Sequence, residues 1–358
     1  MERRDSLKIK IGNIYIGGGS RIAVQSMTNT DSKDYFATYS QIKRLEEAGC
    51  DIVRMTVPDI ESVRTVGKLK ESDIRIPIVA DIHFDYRMAV EAAYAGADKI
   101  RINPGNIGSD ERVREVVRAC REKGIPIRIG VNGGSLEKHI LAKYGRPSGE
   151  ALCESALYHA SLLEKEDFTD IVIAVKSSRV ADMIEANELL AEKCRYPLHL
   201  GVTEAGTEHI GAVKSAAGIG GLLLRGIGDT FRVSLTADPV REVEEGKTLL
   251  RAIGLSDENY INIVSCPTCG RTQIDLIGIA KEFERRVGEC KTDRPLNVAV
   301  MGCAVNGPGE ARECDIGIAG GRGEAVLIKK GKVIRKINED RIVDELIDEI
   351  NKLCSEEK

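Results

Sequence analysis

The sequence predicts an α/β fold, a (β/α)8 barrel of the TIM type followed by a small α+β domain. From about residue 21 to about residue 252, a short β-branched run followed by a helical pattern recurs about eight times, which indicates a parallel sheet. Eight units in about 230 residues match a TIM barrel. Because the 358-residue chain exceeds the roughly 250 to 300 residues of a single core, we expect two domains, residues 1–255 and 256–358.

The predicted barrel strands are short runs rich in Ile and Val. In chain order they are Ile22–Met27, Asp51–Thr56, Pro77–Ile82, Lys99–Asn103, Pro126–Val131, Ile171–Lys176, Leu198–Thr203 and Thr230–Leu235. Ile219–Leu224 competes for the role of the eighth strand. Before the barrel, Lys8–Gly17 alternates polar and apolar residues around Gly12 and Asn13. This alternation predicts a hairpin that could plug the barrel floor.

The second domain has a different pattern, with strands and helices that do not alternate regularly. Its predicted elements are the strand Tyr260–Ser265, the helix Gln273–Val287, the strand Leu296–Met301, strands around Asp315–Ile318 and Ala325–Ile337, and the helix Glu339–Leu353. These elements indicate a small α+β domain.

Composition excludes several classes of protein. The net charge is −4, without a Lys/Arg-rich tail, and there are five Phe and no Trp, so we expect no nucleic-acid partner. No apolar run approaches the roughly twenty residues that span a bilayer, and the first residues lack a signal-peptide pattern. We therefore expect a cytoplasmic protein without a membrane partner.

Charged and polar side chains occur late in the predicted barrel strands, where TIM barrels bind their ligands. Five are cations: Arg54, Arg101, Arg128, Lys176 and Arg232. The others are Asp81, His83, Asn103, Asn132, His199, Thr203, Glu204 and Ser234. A single cation could form a structural ion pair, but five with few carboxylates indicate an anionic ligand, because unpaired cations are costly to bury. Bidentate arginine contacts suit a ligand with more than one phosphate.

Neither familiar nucleotide-binding loop, G-x-x-x-x-G-K-[ST] or G-x-G-x-x-G, occurs in the chain. We therefore expect a small phosphorylated metabolite rather than a nucleotide. Glu204 ends a predicted strand among apolar and cationic neighbours, an environment that tunes carboxylates for proton transfer. It is the candidate proton donor.

Three cysteines and one glutamate form a candidate metal site in the second domain: Cys266, Cys269, Cys303 and Glu310. Thiolates suit an iron–sulfur cluster or zinc, and a carboxylate is an exchangeable ligand that could yield to substrate. A zinc half-site would normally bring a second C-x-x-C or an H-x-x-x-H, and a thioredoxin-like pair would not need Cys303. Cys290 and Cys314 remain alternative fourth ligands.

Two segments around these ligands are specific enough to indicate a family. Ser265-Cys-Pro-Thr-Cys-Gly-Arg271 and Met301-Gly-Cys-Ala-Val-Asn-Gly-Pro-Gly-Glu-Ala311 resemble signatures of the iron–sulfur hydroxymethylbutenyl diphosphate synthases of the methylerythritol phosphate pathway. Similar matches in the barrel include Val79–Asp85, Lys99–Gly108 and Leu198–Gly206. The resemblance covers nearly the whole chain and is closest to the two-domain bacterial form. It departs at Cys314, where the family usually has a small residue that is not a ligand.

The resemblance implies the function and the roles of the site residues. It implies a [4Fe-4S] cluster on the three cysteines and Glu310, and it places Glu204 and Asn306 beside the reacting carbons. It also implies phosphate contacts from Arg54, Arg101, Arg128, Lys176, Arg232 and Ser234, with Asn132 nearby. The implied reaction is the two-electron reductive ring opening of methylerythritol cyclodiphosphate to hydroxymethylbutenyl diphosphate and water.

The same resemblance implies a homodimer whose active site is shared between subunits. Because the chain has no flavin or nicotinamide motif, its electrons are expected from reduced flavodoxin or ferredoxin.

Two other classes of protein remain open. A non-redox dehydratase with a [4Fe-4S] cluster, acting on a phosphorylated metabolite, would need no electron donor, and a phosphate-binding protein could carry a structural zinc.

Overall fold

The protein was analysed as a computed structural model, which describes residues 2–288, 290, 292–303, 305 and 307–356. The chain divides into two compact units, Met1–Ile253 and Gly254–Lys358. Within the described ranges, no helix combines the length and the apolar character needed to cross a membrane.

The first unit is the predicted (β/α)8 barrel. Its parallel strands are β3 to β10, which follow the hairpin strands β1 Ile9–Ile11 and β2 Ile14–Ile16. They are β3 Ala23–Met27, β4 Ile52–Thr56, β5 Ile78–Asp81, β6 Lys99–Ile102, β7 Ile127–Asn132, β8 Ile171–Lys176, β9 His199–Leu200 and β10 Thr230–Phe231. The strands pair in the order β8-β7-β6-β5-β4-β3-β10-β9. Parallel bridges from Ile173 to Leu198 and from Ser177 to Val202 join β8 to β9 and close the barrel.

The last two barrel strands are shorter than predicted. β9 and β10 have two residues each, whereas six residues were expected for each. The competing segment Ile219–Leu224 is helical, since it falls in a π-helical turn, Ala216–Gly220, and a short helix, Gly221–Leu223. The eighth strand is therefore the one at Thr230.

Helices connect the strands on the outside of the barrel. They are α1 Tyr35–Glu47, α2 Ile60–Lys70, α3 Tyr86–Tyr94, α4 Pro104–Ile107, α5 Asp110–Lys123, α6 Lys138–Tyr144, α7 Gly149–Glu164, α8 Val180–Lys193, α9 Glu208–Ser215, α10 Gly221–Leu223 and α11 Pro239–Ala252. Carboxylate side chains cap several of their first turns, for example Asp34 in α1 and Asp59 in α2, each of which accepts a backbone N–H three residues on. Such caps satisfy donors that have no partner within the helix.

The hairpin closes the floor of the barrel, as predicted. Ile9, Ile11 and Ile16 are buried and pack in one apolar cluster with residues at or near the starts of barrel strands, which are Ala23, Ile52, Val79 and Val172. The tight turn between β1 and β2 uses Gly12 with φ +54°, and a Cβ there would lie 2.8 Å from a carboxylate oxygen of Asp98. The floor is therefore sealed by apolar side chains.

The second unit contains a five-stranded mixed sheet. Its strands, in both chain and sheet order, are β11 Ile261–Ser265, β12 Leu296–Met301, β13 Ile316–Gly320, β14 Glu324–Lys329 and β15 Lys332–Asn338. The first three are parallel, and β14 and β15 are antiparallel to their neighbours. The helices are α12 Leu276–Val287, α13 Gly307–Glu313 and α14 Ile342–Glu356. Phe283 and Leu346 are fully buried in the core that these helices share with the sheet.

Two local predictions for this unit were incomplete. The segment Ala325–Ile337, expected as one strand, is a hairpin that turns at Lys330 and Gly331, which have φ +48° and +77°. Left-handed backbone of this kind reverses the chain. The helix α13 was not predicted.

Candidate active site and cluster-binding segment

A cavity of about 230 Å³ opens among the carboxyl ends of the barrel strands. Eleven of the thirteen charged and polar residues that the sequence placed late in the barrel strands line it: Arg54, Asp81, His83, Arg101, Asn103, Arg128, Asn132, Lys176, Thr203, Arg232 and Ser234. The lining also includes residues that the sequence analysis missed, namely Met27, Asn106, Gly130, Ser135 and Ala174. Met27 also lies late in a strand, which was the signal used to select the other lining residues. Its apolar side chain gave no reason to select it.

Asp81 is the central carboxylate of the cavity. It is buried, and its oxygens lie 2.9 Å from Nη1 of Arg101 and 3.4 Å from Nε of Arg54. Burial opposes its ionisation, but the charges of Arg54 and Arg101 outweigh burial and lower the pKa of Asp81 to about 2. Burial in turn lowers the pKa of Arg54 to about 10. One carboxylate thus serves two guanidinium groups.

Arg232 has a carboxylate partner of its own. Its Nε and Nη2 donate to the two carboxylate oxygens of Glu242 at 2.8 and 2.7 Å, and Ser26 donates to the same carboxylate at 2.9 Å. Glu242 is buried in the first turn of α11. The sequence analysis missed it, because a helix glutamate far from any strand end carries no local sign of pairing with a barrel cation. The pairing fixes the guanidinium plane of Arg232 in a bidentate geometry.

Arg128 and Lys176 complete the cationic lining. Both are buried, and within the described ranges neither forms an ion pair. Nη1 of Arg128 donates to the side-chain oxygen of Gln25 at 3.2 Å. Burial, followed by the charges of neighbouring arginines, lowers the pKa of Lys176 well below its ordinary value. The cavity lining therefore contains more basic side chains than carboxylates, and an anionic ligand would balance this excess.

Two strand glycines make room for the cationic head groups. A Cβ at Gly130 would lie 2.5 Å from Nε of Arg101, and one at Gly201 would lie 3.0 Å from Cε of Lys176. Real Cβ atoms do not approach other atoms as closely as the first of these distances, so a side chain at Gly130 would displace the guanidinium.

Neutral hydrogen-bonding groups line one side of the cavity. Nδ2 of Asn103 donates to Oγ of Ser135 at 3.0 Å, and that hydroxyl donates to the backbone oxygen of Asn132 at 3.1 Å. The side chain of Asn103 also accepts from the backbone of Gly105 and so begins α4. This network links the loops after β6 and β7 and can orient donors toward a ligand.

Two predicted residues lie elsewhere than expected. Glu204 is exposed on the loop after β9 with φ +52° and is not among the residues that line the cavity. The expectation of apolar and cationic surroundings for its carboxylate is therefore wrong. His199 is fully buried inside the barrel, with Nδ1 3.4 Å from Oγ1 of Thr230, rather than at the rim of the cavity.

In the second unit, two parallel strands bring two of the three cysteines to one edge of the sheet. Ser265 of β11 pairs in register with Val300 of β12, and Cys266 and Cys303 follow these strands at the same edge. The backbone N–H of Gly302 donates to Sγ of Cys266 at 3.3 Å. The hydrogen bonds to Cys269 from the backbone and side chain of Arg271 lower the pKa of that thiol.

These observations fit an iron–sulfur cluster. Cluster ligands are thiolates, which a lowered pKa favours, and N–H···S bonds to the sulfurs tune such clusters. Among the described residues, no three His, Cys, Asp or Glu side chains converge on a single ion. A four-iron cluster uses a different iron for each protein ligand, so its ligands need not meet at one point.

The candidates for a fourth ligand lie in different environments. Glu310 is exposed on α13. Cys314 is buried in an apolar cluster with Met301 and Ile328, and burial raises the pKa of its thiol. Cys290 packs against the main core of the unit. Of these three candidates, Glu310 is the one that is exposed. Asn306, also expected at the reaction centre, lies outside the described residues.

Comparison with known proteins yields two family matches. Residues 6–247 match the GcpE TIM-barrel domain, and residues 262–352 match the GcpE protein C-terminal domain. A crystal structure of HPPK-DHPS from Plasmodium falciparum resembles the chain with a TM-score of 0.50 at 12% identity, covering 71% of this chain and 49% of that one. This likeness concerns the fold alone.

Relatives from bacteria match nearly the full length. Two proteins named 4-hydroxy-3-methylbut-2-en-1-yl diphosphate synthase (flavodoxin) are each 58% identical to this chain. The one from Clostridium perfringens matches over 97% of this chain and 98% of its own, and the one from Caldanaerobacter subterraneus over 99% of both. Together with the two domain matches, these identities show that the chain belongs to the GcpE family.

Proposed function

We propose that this protein is a 4-hydroxy-3-methylbut-2-enyl diphosphate synthase. It would reductively open the ring of 2-C-methyl-D-erythritol 2,4-cyclodiphosphate, with two electrons entering, one ring C–O bond breaking and a hydroxyl leaving as water. The observation that carries the proposal is the barrel cavity, where five cations face a space of about 230 Å³. Its chemistry matches the diphosphate in the names of the relatives.

In this proposal the barrel binds and orients the diphosphate. Arg128, which has no carboxylate partner among the described residues, would supply positive charge that the phosphates neutralise, and Lys176 would add a hydrogen-bond donor to them. Arg54, Arg101 and Arg232 are held in place by carboxylates, so they would present fixed donors rather than mobile ones. Asn132, Ser234, Asn103, Thr203, Asp81 and His83 would complete the contacts.

Cys266, Cys269, Cys303 and Glu310 would hold a [4Fe-4S] cluster. When bound, such a cluster supplies single electrons and an iron whose carboxylate ligand is exchangeable. Glu310 would hold that iron as the weakest of the four ligands, while the N–H of Gly302 stabilises the negative charge on Cys266.

Glu204 would deliver a proton to the leaving hydroxyl, with Asn306 beside the reacting carbons. Its exposed loop position does not exclude this role, because catalytic hydrogen bonds often form only in the substrate complex. We further propose a cytoplasmic homodimer with a shared active site and reduced flavodoxin or ferredoxin as electron donor.

The experiment that tests the function is an anaerobic assay of the cluster-loaded protein with the cyclodiphosphate and reduced flavodoxin. We expect 4-hydroxy-3-methylbut-2-enyl diphosphate to form, with two electrons consumed per product. A parallel reaction without reductant is the control. Turnover in that control would favour a non-redox dehydratase, and a lack of product in both would contradict the proposal.

A further inference from the structure

A polar layer lies inside the barrel above the apolar floor and reaches the ligand cavity at Arg128. Its members are Gln25 on β3, Lys99 on β6, Arg128 on β7, His199 on β9 and Thr230 on β10. All five are buried. Lys99 lies two residues before Arg101 on the same strand, so both side chains point into the barrel, with Lys99 closer to the floor.

Lys99 is the most isolated cation of this layer. Its side chain is 0% exposed, and its Nζ has no hydrogen-bond partner among the described residues. Nε2 of His199 and Nε of Arg128 are also buried without a partner. The hairpin floor below them excludes water from that side.

The charges around Lys99 are mostly positive. The charged and titratable groups that face the barrel interior are Arg54 on β4, Asp81 on β5, Arg101 on β6, Arg128 on β7, Lys176 on β8, His199 on β9 and Arg232 just after β10, while β3 contributes only the neutral Gln25. Asp81 is already shared by Arg54 and Arg101. No carboxylate among the described residues therefore remains for Lys99.

An ammonium group in such surroundings is unstable. Removing a charge from water without a counterion costs several kcal/mol, and a lysine avoids this cost by losing its proton. Burial, followed by the charges of Arg128 and Arg54, lowers the pKa of Lys99 well below its ordinary value. Arginine does not avoid the cost in this way, because its guanidinium stays protonated in proteins. Arg128 therefore keeps its charge, and Lys99 is the group that loses a proton.

We propose that Lys99 is uncharged in the free protein and takes up a proton from solvent when a dianionic phosphate ligand enters the cavity above it. The proposal rests on the proposed function, since it needs the cavity to bind such a ligand. The ligand's two negative charges reverse the sign of the field that Lys99 experiences. Binding and protonation then favour each other, because linkage is reciprocal.

The test is calorimetric titration of the cluster-loaded protein, without reductant, with 2-C-methyl-D-erythritol 2,4-cyclodiphosphate. Each phosphate in the ring has one strongly acidic group and no second ionisation, so the ligand itself does not titrate near neutrality. The titration is run at about pH 8.5, well above the ordinary histidine pKa. The binding enthalpy is measured in buffers with different ionisation enthalpies, and its slope gives the number of protons taken up.

We expect the unmodified protein to take up protons when it binds the ligand. Lys99→Met should bind the ligand with about one proton less uptake per ligand, whereas Lys193→Met, which changes an exposed lysine on α8, should behave like the unmodified protein. Binding without proton uptake in the unmodified protein, or undiminished uptake in Lys99→Met, would overturn the inference and leave the proposed function intact. Absence of binding would instead refute the proposed function, and this inference with it.

A second measurement needs no variant and so does not depend on Lys99→Met folding. If binding takes up about one proton, the dissociation constant of the unmodified protein should rise up to about tenfold per pH unit above neutrality. A dissociation constant that is independent of pH between about 7 and 9 would contradict the inference.

Discussion

Gly130 faces the guanidinium of Arg101 so closely that a Cβ at this position would lie 2.5 Å from Nε and 2.6 Å from Nη2. Gly130 therefore gives β7 a position without a side chain, and the guanidinium of Arg101 from β6 occupies that space. Because Arg101 is also bound to Asp81 at 2.9 Å, displacing it would disturb the only carboxylate among the described residues that lines the cavity.

Gly130→Ala should weaken substrate binding through this contact. We expect a loss of about 1–3 kcal/mol of stability from overpacking and at least a tenfold rise in KM, since Arg101 would leave its place beside Asp81. Thermal unfolding and steady-state kinetics measure the two effects. Gly134→Ala is the matched control, because nothing lies within 4 Å of a Cβ there; equal effects of the two substitutions would contradict the explanation.

Asp81→Asn should destabilise the barrel in a pH-dependent way. It leaves Arg54 and Arg101 without a carboxylate, at a cost of about 3–5 kcal/mol near neutrality. The pKa of Asp81 is lowered from 3.8 to about 2 in the folded protein, so its stabilising effect is present above the ordinary pKa and is lost as the pH falls toward 2.

Urea unfolding of both proteins between about pH 5 and pH 2 measures this loss. The difference in unfolding free energy between the original protein and Asp81→Asn should shrink by about 2 kcal/mol over that range. A difference that stays constant with pH would mean that Asp81 is not stabilised as a carboxylate.

The sequence pattern predicted much of the barrel because alternation and strand ends are local signals. Late position in a strand selected thirteen residues, of which eleven line one cavity, since parallel strands all end at the same rim. The extent of β9 and β10 was not predictable in this way. Both strands end early. Gly201 follows β9 directly, and the backbone of Glu204, three residues further on, is in the left-handed region.

The features of the site that the sequence did not reveal depend on contacts that form only in the folded protein. Glu242 neutralises Arg232 from a helix ten residues further along the chain, and only the fold brings that helix face against β10. The burial of His199 and Lys99 likewise depends on the hairpin that seals the floor. No spacing rule distinguishes these buried positions from the rim positions above them.

Arg232→Met should destabilise the protein mainly through the carboxylate that it leaves behind. Glu242 is buried with a bidentate partner, and breaking such a pair costs about 3–5 kcal/mol. The double variant Arg232→Met/Glu242→Gln should recover part of this loss in urea unfolding, but its product formation should stay low because the cavity still lacks a cation. If the loss of stability in the double variant equals the sum of the losses in the two single variants, the two residues are not coupled.

Glu204→Gln should separate binding from turnover. The side chain is exposed and does not line the cavity, so we expect unchanged stability and a KM within about twofold. Loss of a proton donor should lower kcat by at least about a hundredfold. Glu208→Gln, at another exposed carboxylate on α9, is the control, and an unchanged kcat in Glu204→Gln would remove this residue from the reaction.

Cys303→Ser and Cys314→Ser should differ in their effect on the cluster. Cys303 follows β12 at the edge where β11 brings Cys266, whereas Cys314 packs in an apolar cluster and keeps a raised pKa. We expect Cys303→Ser, purified anaerobically, to lose most of its iron, sulfide and visible absorbance, and Cys314→Ser to retain about four irons per chain. Loss of the cluster in Cys314→Ser would instead make this thiol, rather than Glu310, the fourth ligand, because a cysteine that only packs in the core can be replaced without removing a ligand from iron.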